Sequence, residues 1–108
     1  MATTYKVLGQ SAPAATTNTT LYTVPANIAA VCSTLVICNQ GVSTTYRVAV
    51  RPLGATLAAQ HYLAYDASVN QNDTIFLTFG MTLAATDVVT VYAGAATLSF
   101  SLFGSEIA

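Results

Sequence analysis

Two cysteines, one histidine and four acidic residues are the side chains from which this 108-residue chain could build chemistry. Cys32 and Cys38 fall in VCSTLVICNQG, residues 31–41, an apolar run that closes on a turn signal. As a single strand, the run points both sulfurs to one face but sets their Cα atoms ~20 Å apart, at about 3.3 Å per residue. A disulfide needs Cα atoms within about 7 Å, so the two cannot bond to each other. The C-x5-C spacing matches no familiar metal or redox pattern, and a zinc site would find only His61 as a further ligand. Both cysteines therefore read as small structural hydrophobes.

His61 is the only histidine. A general base wants a nucleophile and an orienting carboxylate nearby. The nearest acid in sequence, Asp66, falls on the opposite face if the two share a strand. No G-x-S-x-G elbow is present, so His61 reads as a surface or turn residue following Gln60. Asp66, Asn70, Asn72 and Asp73 could gather oxygen ligands for calcium, but they lack the ordered spacing of an EF-hand. Turn formation accounts for them, because Asn and Asp bond to nearby backbone and tolerate left-handed φ. Asp87 stands in a Leu83–Asp87 connection that reads as a turn, and no Gly-rich phosphate loop exists. The expectation is a protein that is not an enzyme, with no cofactor and no metal.

The rest of the chain gives such side chains little to work with. Charged residues are 6% of the sequence, against about 25% in an average soluble domain, while Thr and Ala fill a third of it. A net charge of −1 built on three scattered cations excludes the basic face that nucleic acid demands. No apolar run approaches the roughly 18 residues of a membrane span. MATTYKVLGQ lacks the pattern of a secretory signal, so the chain reads as soluble and made in the cytoplasm. On that reading the sequons at Asn18 and Asn72 are chance matches in a Thr-rich chain. Free domains of this size usually carry more charge for solubility, so part of this surface is expected to lie under partners.

The elements that must position these residues are strands. Tyr5–Leu8 reads as the first, followed by a polar, Pro-containing loop or arm over 11–20. Leu21–Val24, Ile28–Asn39, Thr44–Arg51, His61–Ala67, Thr74–Phe79, Val88–Ala93 and Thr97–Phe103 supply the rest. Gly80 is expected to turn the chain, and Gly94-Ala95-Ala96 to close a short hairpin. One helical turn is possible over Ala55–Gln60. Connections are too short for the crossovers of a parallel sheet. The fold class is all-β: a single-domain antiparallel β-sandwich of seven or eight strands, a jelly roll first and a Greek-key sandwich second. Residues 1–20 form an N-terminal strand and loop or arm, and 21–108 the sandwich core.

Alternation along the strands leaves apolar residues opposite the core faces: Phe76, Val88, Tyr92 and Phe103. Arg47 and Arg51 share the face opposite Tyr46, Val48 and Val50, where they could anchor a partner carboxylate. These six residues are the expected partner interface.

The pattern LYTVPANIAAVCSTLVICNQG, TYRVAVRPLG, HYLAYD, DTIFLTFGMTLAATDVVTVYAG and LSFSLFGSEI resembles small β-sandwich virion proteins of tailed bacteriophages, from about residue 5 to the C-terminus. Its most distinctive pieces are Leu21-Tyr22-Thr23-Val24-Pro25, Cys38-Asn39, the Leu83–Asp87 stretch and the closing Gly104-Ser105-Glu106. None is a catalytic signature. The resemblance implies a capsid decoration (cement) protein on the capsid exterior, a homo-oligomer with a trimer favoured, clamping neighbouring major capsid subunits. Residues 1–20 would then pair an edge strand of a neighbour. A tail, neck or baseplate component is the alternative. A carbohydrate-binding module is the second: the chain has no Trp, and Tyr62, Tyr65 and Tyr92 are the available sugar platforms.

Overall fold

The computed structural model describes residues 2–108. Eight strands follow one another: β1 (Thr3–Ser11), β2 (Thr19–Thr23), β3 (Ala29–Asn39), β4 (Thr44–Arg51), β5 (Tyr62–Val69), β6 (Thr74–Leu83), β7 (Val88–Ala93) and β8 (Leu98–Ile107). They form two four-stranded sheets, ordered β1-β8-β3-β6 and β2-β7-β4-β5, with every strand pair antiparallel. The pairs β1/β8, β2/β7, β3/β6 and β4/β5 nest like one long hairpin wound around a barrel. That winding is the jelly roll, the first of the two expected architectures. Among the described residues no helix is long and apolar enough to cross a membrane.

The inner faces build the core. Cys32, Leu35, Ile37, Val48, Val89, Val91, Phe100 and Leu102 are fully buried, each at an alternate position of its strand except where a bulge intervenes. The helical turn expected over Ala55–Gln60 is instead two short 3-10 turns, Pro52–Gly54 and Ala59–His61. They belong to a strap, residues 52–61, that lies over the outer face of the β2-β7-β4-β5 sheet.

Several connections differ from the sequence expectation. Gly94–Thr97 closes no hairpin: β7 pairs with β2 and β4, β8 with β1 and β3, so the segment crosses between sheets. Two strongly apolar strands each bury one face best as interior strands of different layers. Gly80 does not turn the chain either, because β6 runs through it to Leu83. Of the expected N-terminal segment 1–20, Met1 lies outside the described residues; the rest comprises β1, an edge strand hydrogen-bonded to β8, a connection that touches β7 where Ala15 bridges Ala93, and the first two residues of β2.

The two cysteines also part company. The pairing of β3 with β8 slips between Cys32 and Thr34, so Ser33 is an extra residue in the strand. A bulge reverses the alternation beyond it. Cys32 therefore points into the core, while Cys38 stands half-buried on the outer face, not on the same face as expected. Burial pushes the Cys32 thiol up to about 11, so at neutral pH it remains a protonated, apolar filler.

Candidate functional site

The six residues expected to form one interface divide between two opposite surfaces. Arg47, Arg51, Val88 and Tyr92 lie on the outer face of the β2-β7-β4-β5 sheet, where Arg47 pairs across from Tyr92 and Arg51 from Val88. Phe76 and Phe103 lie on the outer face of the other sheet. They are not one patch.

On the first surface the strap decides what solvent reaches. Val88 is 7% exposed, and Ala49 and Thr90 beside it are buried too. Val88 thus leaves the interface: its strand face is outward, but its own chain covers it. Arg51 holds that cover down. Its Nε donates to Thr90 Oγ1 at 3.1 Å and its guanidinium to the carbonyls of Gly54 and Ala55, at 3.5 and 3.1 Å. Asp87 pins the other side, accepting from Leu53 N–H at 3.0 Å and Ala84 N–H at 2.9 Å. Arg51 therefore spends its Nε and Nη1 donors inside the chain, where they hold the strap.

Arg47 is committed as well, though more openly. Its Nε donates to Asp66 Oδ1 at 2.7 Å, with a second bond to Oδ2 at 3.3 Å. Its guanidinium lies 4.2 Å from the ring centroids of both Tyr65 and Tyr92. Hydrogen bonding to Asp66 holds this guanidinium protonated above its already high ordinary range. Cations stack on aromatic faces in this way, and Arg does so better than Lys because its plane matches the ring. Tyr65 meets Tyr62 edge-on, with centroids 4.9 Å apart and planes at 87°.

Local backbone geometry makes this cluster possible. Asp66 has φ +50°, a left-handed conformation inside a strand, and the pairing of β5 with β4 slips on either side of Val48. Such a residue costs about 1 kcal/mol or more and persists where its surroundings over-determine it. Simple alternation would put Tyr65 and Asp66 on opposite faces; with the irregularity, both reach Arg47. Sequence reasoning identified Arg47 and Tyr92 but missed their partners, because the bulge leaves no mark on the pattern. The one available signal was Asp, a residue that tolerates φ above zero.

The catalytic and metal arrangements weighed from sequence do not assemble. His61 Nδ1 accepts a hydrogen bond from Ala58 N–H at 3.0 Å and so caps its own 3-10 turn, while Asp66 faces Arg47. Asp73 Oδ1 accepts from Thr74 N–H at 2.8 Å. Among the described residues no three His, Cys, Asp or Glu side chains gather as a metal site would require.

The outer face of the β1-β8-β3-β6 sheet has a different character. Register places Tyr5, Val7, Val31, Val36, Phe76 and Phe103 on it, among Thr and Ser. No strap covers it: Phe76 is 67% exposed and Tyr5 84%. None of the seven charged residues projects from this face. Lys6 and Glu106 alone belong to its strands, and both turn inward at the register positions opposite Gly104 and Ala30. A shallow, mostly apolar depression runs between Tyr5, Val7, Val31 and Phe103, with Lys6 also in its lining.

Comparison with protein-family models, with curated proteins and with solved structures finds no match to this chain.

Proposed function

We propose that the protein is a non-enzymatic virion structural protein of a tailed bacteriophage: a capsid decoration protein that binds the outer shell and stabilises contacts between major capsid subunits. The observation that carries this reading is the bare, uncharged outer face of the β1-β8-β3-β6 sheet. A four-stranded face with exposed Phe76 and Tyr5 and no charged side chain projecting from it is costly for a free monomer and suits burial against another protein. The resemblance of the strand segments to phage virion modules supplies the kind of partner. Jelly rolls serve viral capsids among other assemblies, which agrees with the reading without singling it out.

The mechanism is rigid-body docking. Two packed sheets fix the face, and each copy contributes a modest contact that the symmetry of a shell repeats many times. The partner surface is also neutral, because any charge it presented would lose its water and meet no counter-charge. The homo-oligomer, a trimer in this reading, adds a second level of repetition. The N-terminal segment takes part as edge strand β1 and not as a loose arm, since Thr3–Ser11 is bonded along β8. Removing it would strip a strand from the sheet, so point changes test the face better.

Immunogold labelling of intact virions, with antibodies against the folded chain, tests the location. Gold spread evenly over heads is the expected result. Label confined to tails, neck or baseplate would reject decoration and leave a virion component, and well-validated antibodies that label no particle would reject both. In co-sedimentation with shells lacking the protein, Phe76→Asp should abolish binding while leaving the melting temperature nearly unchanged, because its side chain has little packing to lose.

A further inference from the structure

Beside the Arg47 stack, on the surface opposite the bare face, lies an open cleft of about 650 Å³ lined by Asn18, Leu57, Ala58, Ala59, Tyr62 and Tyr65. We infer that this cleft binds a neutral pyranose sugar, seated in the corner that Tyr62 and Tyr65 make. Four properties point to that ligand class.

The first is shape. Two tyrosine rings at 87° with centroids 4.9 Å apart form two walls, and Tyr65 is 59% exposed although it belongs to a fixed cluster. A pyranose offers an apolar face of C–H groups with hydroxyls around its rim, and so fits an aromatic wall with polar groups at its edge. The cleft's volume falls within the usual range of small-molecule sites, about 300–1,000 Å³.

Polarity is the second. No charged side chain lines the cleft, so an anionic or cationic ligand would find no counter-charge there. Three of its lining residues carry neutral hydrogen-bonding groups, the Tyr62 and Tyr65 hydroxyls and the Asn18 amide. None of them has a hydrogen-bond partner among the described residues, so all can serve sugar hydroxyls. A purely apolar ligand would strand them.

The third property is preorganisation. Tyr65 is held on the Arg47 guanidinium at 4.2 Å, and Arg47 is held in turn by two bonds to Asp66. A ring already fixed loses little freedom when a ligand stacks on it. The left-handed backbone at Asp66, φ +50°, is what places both residues there. The fourth is clearance: Leu57, Ala58 and Ala59 present only short or apolar side chains along one wall, leaving space for a ring and its substituents.

This inference does not depend on where the protein resides, since cleft and bare face belong to different sheets. The test is a titration of ¹⁵N-labelled protein with the methyl glycosides of glucose, galactose, mannose and N-acetylglucosamine, followed by amide shifts. At least one glycoside should shift residues 57–65 and Asn18 in a saturable way at millimolar concentration. Tyr65→Ala should weaken that binding about tenfold, the scale of a lost aromatic contact, and Tyr65→Phe less. Asn18→Ala, an exposed change away from the stack, should weaken it while the remaining spectrum superimposes on the native one. The inference is overturned if no glycoside shifts these residues, or if only the anionic N-acetylneuraminic acid does. It is equally overturned if binding is unchanged in both Tyr65→Ala and Asn18→Ala.

Discussion

Asn39 shows how much one residue can organise. It is 2% exposed, yet all its polar capacity is used. Its Nδ2 donates to the carbonyls of Val42 and Asn70 at 2.8 and 3.0 Å, and its Oδ1 accepts from Gly41 N–H and Thr97 Oγ1, each at 3.0 Å. One side chain thus ties the 40–43, 70–73 and 94–97 connections together at one end of the sandwich. Removing it unmakes four hydrogen bonds at a part-buried end of the sandwich, each worth about 0.5–1.5 kcal/mol net. Asn39→Ala should therefore destabilise the fold by about 2–4 kcal/mol, read as a lower urea midpoint at constant slope. Asn39→Asp should fare no better, since it aims a carboxylate at two carbonyls; a midpoint within error of the native one would refute the role. From sequence, Asn39-Gln40-Gly41 was legible as a turn signal, because Asn and Gly favour turns whatever surrounds them. That Asn39 also faces inward was not, because its partners at 70 and 97 are distant in the chain. That Tyr65 and Asp66 both reach Arg47 was illegible for a related reason: a left-handed residue breaks the period of two on which face assignments rest.

Strand existence was legible element by element, since eight short apolar runs between Gly, Pro and Asn clusters admit few other readings. Thr44–Arg51 and Val88–Ala93 even have the observed bounds. Strand ends were read too short where mainly small or polar residues continue the ladder, as Thr3 and Thr4 do in β1 and Gly104–Glu106 in β8. Two of the glycines in the β1-β8-β3-β6 sheet, Gly80 and Gly104, show what local chemistry hides. Gly104 looks like a terminal flourish but lies under the bulge at Ser33, where a Cβ would run into the Val31 carbonyl and the Cys32 backbone. Gly80 looks like a turn but has open space around its Cα. Gly104→Ala should cost about 1–3 kcal/mol, the range for overpacking, because backbone cannot yield as a side chain would. Gly80→Ala should be neutral or stabilise by about 0.4–1 kcal/mol, by reducing the freedom of the unfolded chain. Thermal melts of the pair decide it, and equal effects would mean that the bulge does not constrain position 104.

At the scale of the molecule, one open end of the sandwich is closed by polar groups that join its two sheets. Tyr22 on β2 donates its hydroxyl to Glu106 Oε2 on β8 at 2.5 Å, and Lys6 on β1 donates to Oε1 at 3.1 Å. The Tyr22 bond, and secondarily Lys6, hold the Glu106 carboxyl below its ordinary value of 4.5 against the opposing effect of burial. Burial, together with Glu106, raises the Tyr22 phenol above its ordinary 10.0. The signs fix a window. A carboxyl with a depressed folded pKa contributes its stability in full above 4.5 and loses it as pH falls through the folded value. A phenol with a raised folded pKa contributes in full below 10.0 and loses it as pH climbs toward the higher folded value. The clasp is therefore intact across the neutral range and opens first from the acid side. Glu106→Gln keeps an acceptor for Tyr22 but has no charge to lose. Its melting temperature should lie below that of the native chain at neutral pH, and the gap should close as pH drops from about 6 to about 3. A gap that stays constant over that range would mean that the carboxylate's charge does not hold the sheets together. The residues involved were visible from the start as a basic residue near one terminus and an acidic one near the other, but only the jelly-roll winding, which pairs the first strand with the last, brings them within reach.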